Sequence, residues 1–267
     1  MPFVTRALLL LCSVLLIQAC GKAVPEKPIA DKPACIASSL RAEQLRSNLD
    51  GFDEEVRVPL AANDKTTLRI KHPSSTSRSE NAILFVTGVD GGFIQPADQI
   101  YGRIALRMAE RGIPSAFVLY RTPGELLPSL ADAGAAVNYL KKQGARKISV
   151  LGMSFGGAVA IQTAIRVPEV ALVVLFSPQG KDTEPVGEMK KQGLLILHSV
   201  DDENVPYDSS VDLLARAPRD ISKKLVTLQG ALHTLDGYSR EVDPVVNSWL
   251  DAFMPVVAAE PSASKCS

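Results

Sequence analysis

The sequence predicts an α/β fold, a mostly parallel eight-stranded sheet with helices on both faces. Two observations carry that expectation. Short apolar, β-branched runs such as Ile83 to Val86, Ile148 to Gly152 and Leu194 to His198 alternate with Ala- and Leu-rich stretches of helix length, and alternating strands and helices build a parallel sheet covered on both sides. The apolar content of 46% is that of a folded chain able to bury a core.

The elements follow in order. Val56 to Leu60 and Thr67 to Lys71 read as an opening antiparallel pair. Strands Ile83 to Val86 and Ala116 to Tyr120 are separated by a helix over Ile100 to Arg111, and a helix over Leu126 to Gln143 leads into the strand Ile148 to Gly152. The Ala-rich helix Phe155 to Arg166, the strands Leu172 to Phe176 and Leu194 to His198, a helix over Tyr207 to Ala215, the strand Lys224 to Leu228 and a last helix over Arg240 to Phe253 complete the chain. The Ala and Leu spacing of these helices is that of core packing.

One junction carries chemistry. Gly152-Met153-Ser154-Phe155-Gly156 matches G-x-S-x-G at a point where a buried strand, Lys147 to Leu151, hands over to a helix. A sharp turn there exposes a serine in a strained backbone and brings neighbouring main chain so close that only glycine fits at Gly152 and Gly156. Phe155 supplies an N–H at the helix start, where unpaired donors and the helix dipole favour developing negative charge. Two later loops offer partners for Ser154. The strand Leu194 to Ser199 ends in Val200-Asp201-Asp202-Glu203-Asn204-Val205-Pro206, a turn with acids at its tip, and Lys224 to Leu228 ends in Gln229-Gly230-Ala231-Leu232-His233-Thr234. Of three histidines, His72 follows an early strand beside Pro73 and His198 lies inside a strand, where a structural role is expected. His233 alone sits in a loop that can reach back over the sheet. The chain order Ser, Asp, His belongs to one of the several folds that carry such a triad.

On these residues the sequence resembles the α/β-hydrolase superfamily, and within it the small dienelactone-hydrolase-like branch. The matching motifs are Gly152 to Gly157, Asp202-x-x-Val205-Pro206, Gly230-Ala231-x-His233 and the turn Thr87-Gly88-Val89-Asp90-Gly91-Gly92, and the resemblance spans about residues 56 to 254. It implies Ser154 as nucleophile, His233 as base and Asp202 as the orienting acid, since the spacing to Val205-Pro206 favours Asp202 over Asp201. Asp182 stands one strand earlier, where some relatives carry the acid. The oxyanion donors implied are the amides of Phe155 and Val89, although this chain has Thr87 where the family turn usually opens with histidine. Dienelactone hydrolases proper carry cysteine at the elbow, so their substrate class does not transfer. Only 15 residues, Gln179 to Gly193, separate the sixth and seventh strands, a region where many relatives insert a lid. No large lid is therefore expected, and an open pocket bordered by Asp90, Tyr101 and Gln179 suits small or flexible acyl groups. The expected activity is hydrolysis of an ester, thioester or related acyl bond of a small-molecule substrate. An acyltransferase with the same residues and an inactive envelope scaffold are the alternatives.

The remaining features concern location and partners. Arg6 precedes an apolar run, Ala7 to Ile17, too short to span a bilayer but suited to a signal peptide over residues 1–19. Ile17-Gln18-Ala19-Cys20 resembles a bacterial lipobox, which implies lipidation of Cys20 and a membrane anchor. With Gly21 next, the resemblance favours an outer-membrane lipoprotein facing the periplasm, with a secreted or periplasmic protein as the alternative. Residues 20–50 form a tether rich in Pro, Lys and Ala, reaching on the order of 40 Å over its first part. The hydrolase domain is expected over 51–256 and a mobile tail over 257–267. Cys35 and Cys266 remain as a candidate disulfide in an oxidising compartment. The charge balance of 29 basic and 29 acidic residues gives no sign of a nucleic-acid partner. No dinucleotide fingerprint or metal-ligand cluster appears, so no cofactor and no metal are expected.

Overall fold

The computed structural model describes residues 50–60, 64–74 and 79–255. Residues 1–49 and 256–267 lie outside the described residues, and with them the signal segment, Cys20, most of the tether, Cys35, Cys266 and the tail.

Eight strands form one sheet: β1 (Glu54–Pro59), β2 (Lys65–Lys71), β3 (Asn81–Val86), β4 (Ser115–Leu119), β5 (Lys147–Met153), β6 (Val170–Phe176), β7 (Gly193–Ser199) and β8 (Lys223–Leu228). Among the described residues five α-helices accompany them: α1 (Ile100–Glu110), α2 (Leu126–Lys142), α3 (Phe155–Arg166), α4 (Asp208–Arg216) and α5 (Ser239–Phe253). Each expected element is present, with ends shifted by at most two residues. The element not foreseen is a short 3-10 helix, Glu184–Glu188, the only helix among the described residues between β6 and β7. No lid domain interrupts that connection.

The strand order is β1-β2-β4-β3-β5-β6-β7-β8. β2 pairs antiparallel with β1 and β4, and every later pair is parallel. Residues alternate between two cores because side chains point to opposite faces along a strand. In β3, Leu84 and Val86 join the cluster under α2 and α3, whereas Ile83 and Phe85 face the one under α1 and α5. The central strands are apolar at nearly every position because both faces are covered.

The order places a reversal between β3 and β5. The chain leaves β3 toward β4 on one side, and leaves β5 toward β6 on the other. In an open α/β sheet the loops at such a point diverge and leave a crevice beyond the carboxyl ends of the strands. Thr87 and Ser154 follow those two strands.

Candidate active site

Ser154 sits between β5 and α3 with φ 54° and ψ −119°, a conformation that costs a residue with a Cβ on the order of 1–3 kcal/mol and persists only where its surroundings enforce it. Those surroundings are visible. The Ser154 N–H donates to Phe176 O at 2.9 Å, and its carbonyl accepts from Gly157 N at 2.9 Å and Gln179 N at 3.3 Å. The helix start is pressed between two strands. A Cβ on Gly152 would lie 2.3 Å from Gly156 O, and one on Gly156 would lie 2.4 Å from Thr87 O. Both glycines are thus required by backbone contact. Phe155 opens α3, so its N–H has no acceptor within the helix.

The acid turn after β7 and the loop after β8 meet through three consecutive carboxylates. Asp202 Oδ2 accepts from His233 Nδ1 at 2.7 Å, Asp201 Oδ2 accepts the Gly230 N–H at 2.6 Å, and Glu203 Oε2 accepts the His233 N–H at 2.9 Å. Asp201 and Glu203 therefore hold the backbone of the histidine loop while Asp202 holds the ring. The Asp202 side chain is fully buried. Burial pushes its carboxyl up, but hydrogen bonds from Val205 N, the His233 ring and Asn204 N outweigh that and hold it below its ordinary value. His198 also reaches Asp202, with Nε2 3.0 Å from Oδ2. Asp182 instead turns under α3, where its carbonyl accepts from Gln162 Nε2 at 2.8 Å. His72 is exposed beside Glu54 on the far edge strand, with Nε2 2.6 Å from Oε1.

Ser154 and His233 line one cavity of about 440 Å³ together with Thr87, Gly88, Val89 and Asp90 from the turn after β3, and with Ile94, Met153, Gln179, Asn204 and Val205. Its walls mix apolar Val89, Ile94 and Met153 with polar groups, and none of the lining residues is Lys or Arg. Thr87, where the family turn usually has histidine, is fully buried and donates its hydroxyl to Ile94 O at 3.1 Å. It closes the 87–94 loop from within.

Asp90 and Gln179 border the cavity as the sequence suggested, and Tyr101 does not. Tyr101 is fully buried under α1, stacked on Phe85 with ring centroids 4.7 Å apart, and its hydroxyl donates to Val86 O at 3.2 Å. Position 101 lies on the buried face of α1, so its aromatic area goes to the core and its hydroxyl to a strand carbonyl.

A second restraint on the histidine loop was not legible in the sequence. Ala97, Asp98 and Gln99 all have positive φ, at 48°, 55° and 65°, unusual for three successive non-glycine residues. Ala97 N donates to Thr234 O at 2.7 Å, Asp98 N donates to Asp236 Oδ1 at 2.9 Å, and Gly237 N donates to Asp98 Oδ1 at 2.9 Å. Arg103 caps the Ala97 and Asp98 carbonyls while pairing with Asp243 through Nε at 2.8 Å. The loop carrying His233 is therefore clamped from the acid turn on one side and from the 97–99 segment on the other. Among the described residues no group of three His, Cys, Asp or Glu side chains is arranged to hold a metal ion, and no helix is long and apolar enough to cross a membrane.

Residues 87–246 match the sequence profile of the dienelactone hydrolase family. No curated protein matches the chain. Solved structures with the same fold include Est1E from Butyrivibrio proteoclasticus, at 17% identity and TM-score 0.63 over 74% of this chain and 98% of that one. A dienelactone hydrolase from Anabaena variabilis gives 18% identity and TM-score 0.63 over 75% of this chain and 97% of its own. The esterase Est2 of the planctomycete Thermogutta terrifontis, solved with propionate, gives 19% identity and TM-score 0.61 over 80% of this chain and 98% of its own.

Proposed function

Because the chain belongs to the dienelactone hydrolase family, a family of α/β hydrolases, we propose that it is a serine carboxylesterase acting on short, uncharged acyl esters. The observation that carries this reading is that Ser154, on a strained strand-to-helix turn, lines one cavity with His233, whose ring is held by the buried Asp202; the Phe155 and Val89 amides are the oxyanion donors this reading assigns.

In this mechanism His233 Nε2 takes the Ser154 hydroxyl proton as Oγ bonds to the ester carbonyl carbon. Asp202 accepts from Nδ1–H, which leaves Nε2 as the basic nitrogen and stabilises the imidazolium that forms. The Phe155 and Val89 amides donate to the developing oxyanion, each worth about 10²–10³ in rate. The carbon–oxygen bond to the alcohol then breaks, and the imidazolium returns its proton to the departing alkoxide. Water, deprotonated by the same nitrogen, hydrolyses the acyl-serine and restores the site.

The open cavity and the absence of a lid between β6 and β7 favour substrates that need little enclosure. Val89, Ile94 and Met153 provide an apolar wall for a chain of a few carbons. The propionate in the Est2 structure is an acyl group of this size. The test is labelling by a fluorophosphonate probe with a p-nitrophenyl ester series from acetate to laurate. Labelling lost in Ser154→Ala and in His233→Ala, with turnover highest at short chains, is expected. A folded protein that neither labels nor hydrolyses any ester would refute the reading.

The run before Cys20 supports a companion proposal, that the enzyme works while tethered to the bacterial envelope, at the outer membrane, through a lipid on that cysteine. Cys20→Ser should then move the protein from the membrane to the soluble fraction, and unchanged fractionation would refute the tether.

A further inference from the structure

Asp202 serves two histidines through one oxygen. Its Oδ2 lies 2.7 Å from His233 Nδ1 and 3.0 Å from His198 Nε2. His198, on β7, has a side chain with no solvent exposure. Its Nε2 is also 3.1 Å from Val205 O, and its Nδ1 is 2.6 Å from Ser210 Oγ on α4. The Tyr207 ring packs edge-on at 5.7 Å.

The chemistry of these partners determines where each proton sits. Asp202 is held below its ordinary value and is ionised at neutral pH, so it only accepts, and so does the Val205 carbonyl. His198 Nε2 therefore carries a hydrogen. Burial pushes the His198 ring below its ordinary value, more than the neighbouring Asp202 raises it. The ring is neutral at pH 7, Nδ1 is an acceptor, and the Ser210 hydroxyl is the donor to it. One continuous chain results: Ser210 O–H to His198 Nδ1, His198 Nε2–H to Asp202 Oδ2, and His233 Nδ1–H to the same oxygen.

We propose that His198, held in the Nε2–H tautomer by the acceptors Asp202 and Val205 and bonded at Nδ1 by the Ser210 hydroxyl, is a positioning residue that orients the Asp202 carboxylate and sets the proton affinity of His233. The proposal rests on the reading of Ser154, Asp202 and His233 as the catalytic set. A carboxylate oxygen already accepting one N–H is a poorer acceptor for a second, so His198 tempers the help that Asp202 gives to a protonated His233. Without His198 the carboxylate has one anchor fewer and a stronger pull on the imidazolium. The catalytic base then becomes less well aimed and harder to deprotonate. The titratable groups facing His198 are Asp202 from the turn after β7, His233 from the loop after β8, and Tyr207 just before α4, whose hydroxyl bonds to Thr227 Oγ1 of β8 at 2.5 Å.

The test is an NMR titration of the His233 imidazole in the full chain, alongside the pH dependence of p-nitrophenyl propionate hydrolysis. The variants are His198→Leu, which removes both ring nitrogens, His198→Gln, whose amide can still donate to Asp202, and Ser210→Ala. In His198→Leu the His233 titration and the acidic limb of kcat/KM should both move to higher pH, because Asp202 then bonds the imidazolium without a competing N–H. At the pH optimum kcat should fall roughly tenfold or more, by analogy with outer-shell groups that orient metal-binding side chains, with KM unchanged. His198→Gln should restore both, and Ser210→Ala should shift them part way. Nitrogen-15 shifts of the wild type should show neutral His198 with hydrogen on Nε2. Loss of thermal stability with an unmoved His233 titration would overturn the proposal, as would hydrogen on His198 Nδ1. Should His198→Leu fail to fold, Ser210→Ala and the tautomer measurement still decide. A His233 shift in a protein whose Ser154 ignores the fluorophosphonate would refute the catalytic reading and leave the hydrogen-bond chain standing.

Discussion

Replacing Gly152 by alanine tests the geometry of the serine turn with a single methyl group. The new Cβ would lie 2.3 Å from Gly156 O, 2.6 Å from Gly156 C and 3.1 Å from the Ala160 Cβ. An ordinary carbon–oxygen contact needs about 1 Å more than the first of these. The atoms in the way are backbone, so no side chain can swing aside, and α3 must lift off β5. It has little freedom to do so, because Gly156 on its other side is already pressed against Thr87 O. Overpacking of this kind costs about 1–3 kcal/mol, and rigid neighbours put Gly152→Ala at the upper end. For a domain of this size about 3 kcal/mol is a fall in Tm of roughly 6–12 °C. The same displacement moves Ser154 and the Phe155 amide, and a shift of about 1 Å at reacting groups costs roughly 100-fold in rate. Thermal unfolding and fluorophosphonate labelling rates measure the two effects. Gly134 in α2 is the control, since a Cβ there meets nothing within 4 Å, and Gly134→Ala should stabilise by about 0.5–1 kcal/mol. A Gly152→Ala protein with wild-type Tm and labelling rate would refute the claim that backbone contact dictates glycine at the turn.

Three further outcomes are expected. His198 is depressed by burial, and its unfolded value is about 6.5; its contribution to stability is complete above that pH and is lost as the pH falls toward the folded value. Tm should therefore begin to decline below about pH 6.5, and His198→Gln, which cannot titrate, should remove that first part of the decline. Asp90 is the sole carboxylate lining the cavity, so Asp90→Asn should raise kcat/KM for a carboxylate-bearing ester about two- to fivefold relative to a neutral ester of equal length, and added salt should shrink the difference. Arg103→Met removes the guanidinium that holds the Ala97 and Asp98 carbonyls and Asp243. It should cost about 1–2 kcal/mol for a partly exposed pair and speed amide exchange at residues 230–237, and an unchanged exchange pattern would mean that the 97–99 segment does not restrain the histidine loop.

Local chemistry made most of the fold readable in advance. Strand and helix positions follow from apolar runs and period, which act over a few residues. The serine turn was legible because glycine at Gly152 and Gly156, flanking a serine between a strand and a helix, is a local signature of a backbone problem. The acid run 201–203 and His233 were legible as candidates, but their shares were not. Nothing in the sequence says that Asp201 takes Gly230 N, Glu203 takes His233 N and Asp202 takes the ring. That depends on which way each side chain leaves the turn once β7 and β8 are paired. Tyr101 shows the opposite failure: its helix was expected, but the face it occupies depends on where α1 lies against β3.

What the sequence determined by itself was the set of elements and a serine set on a glycine-flanked strand-to-helix turn, because both rest on residues that are neighbours along the chain. What only the tertiary structure decided was how distant loops combine: the crevice between β3 and β5, the clamp of the His233 loop by Asp98 and Arg103, and the second histidine on Asp202. These contacts join residues far apart in sequence, such as Arg103 and Asp243. Their geometry follows from sheet order and packing, in which a rotation of one side chain exchanges one hydrogen-bond partner for another at little cost.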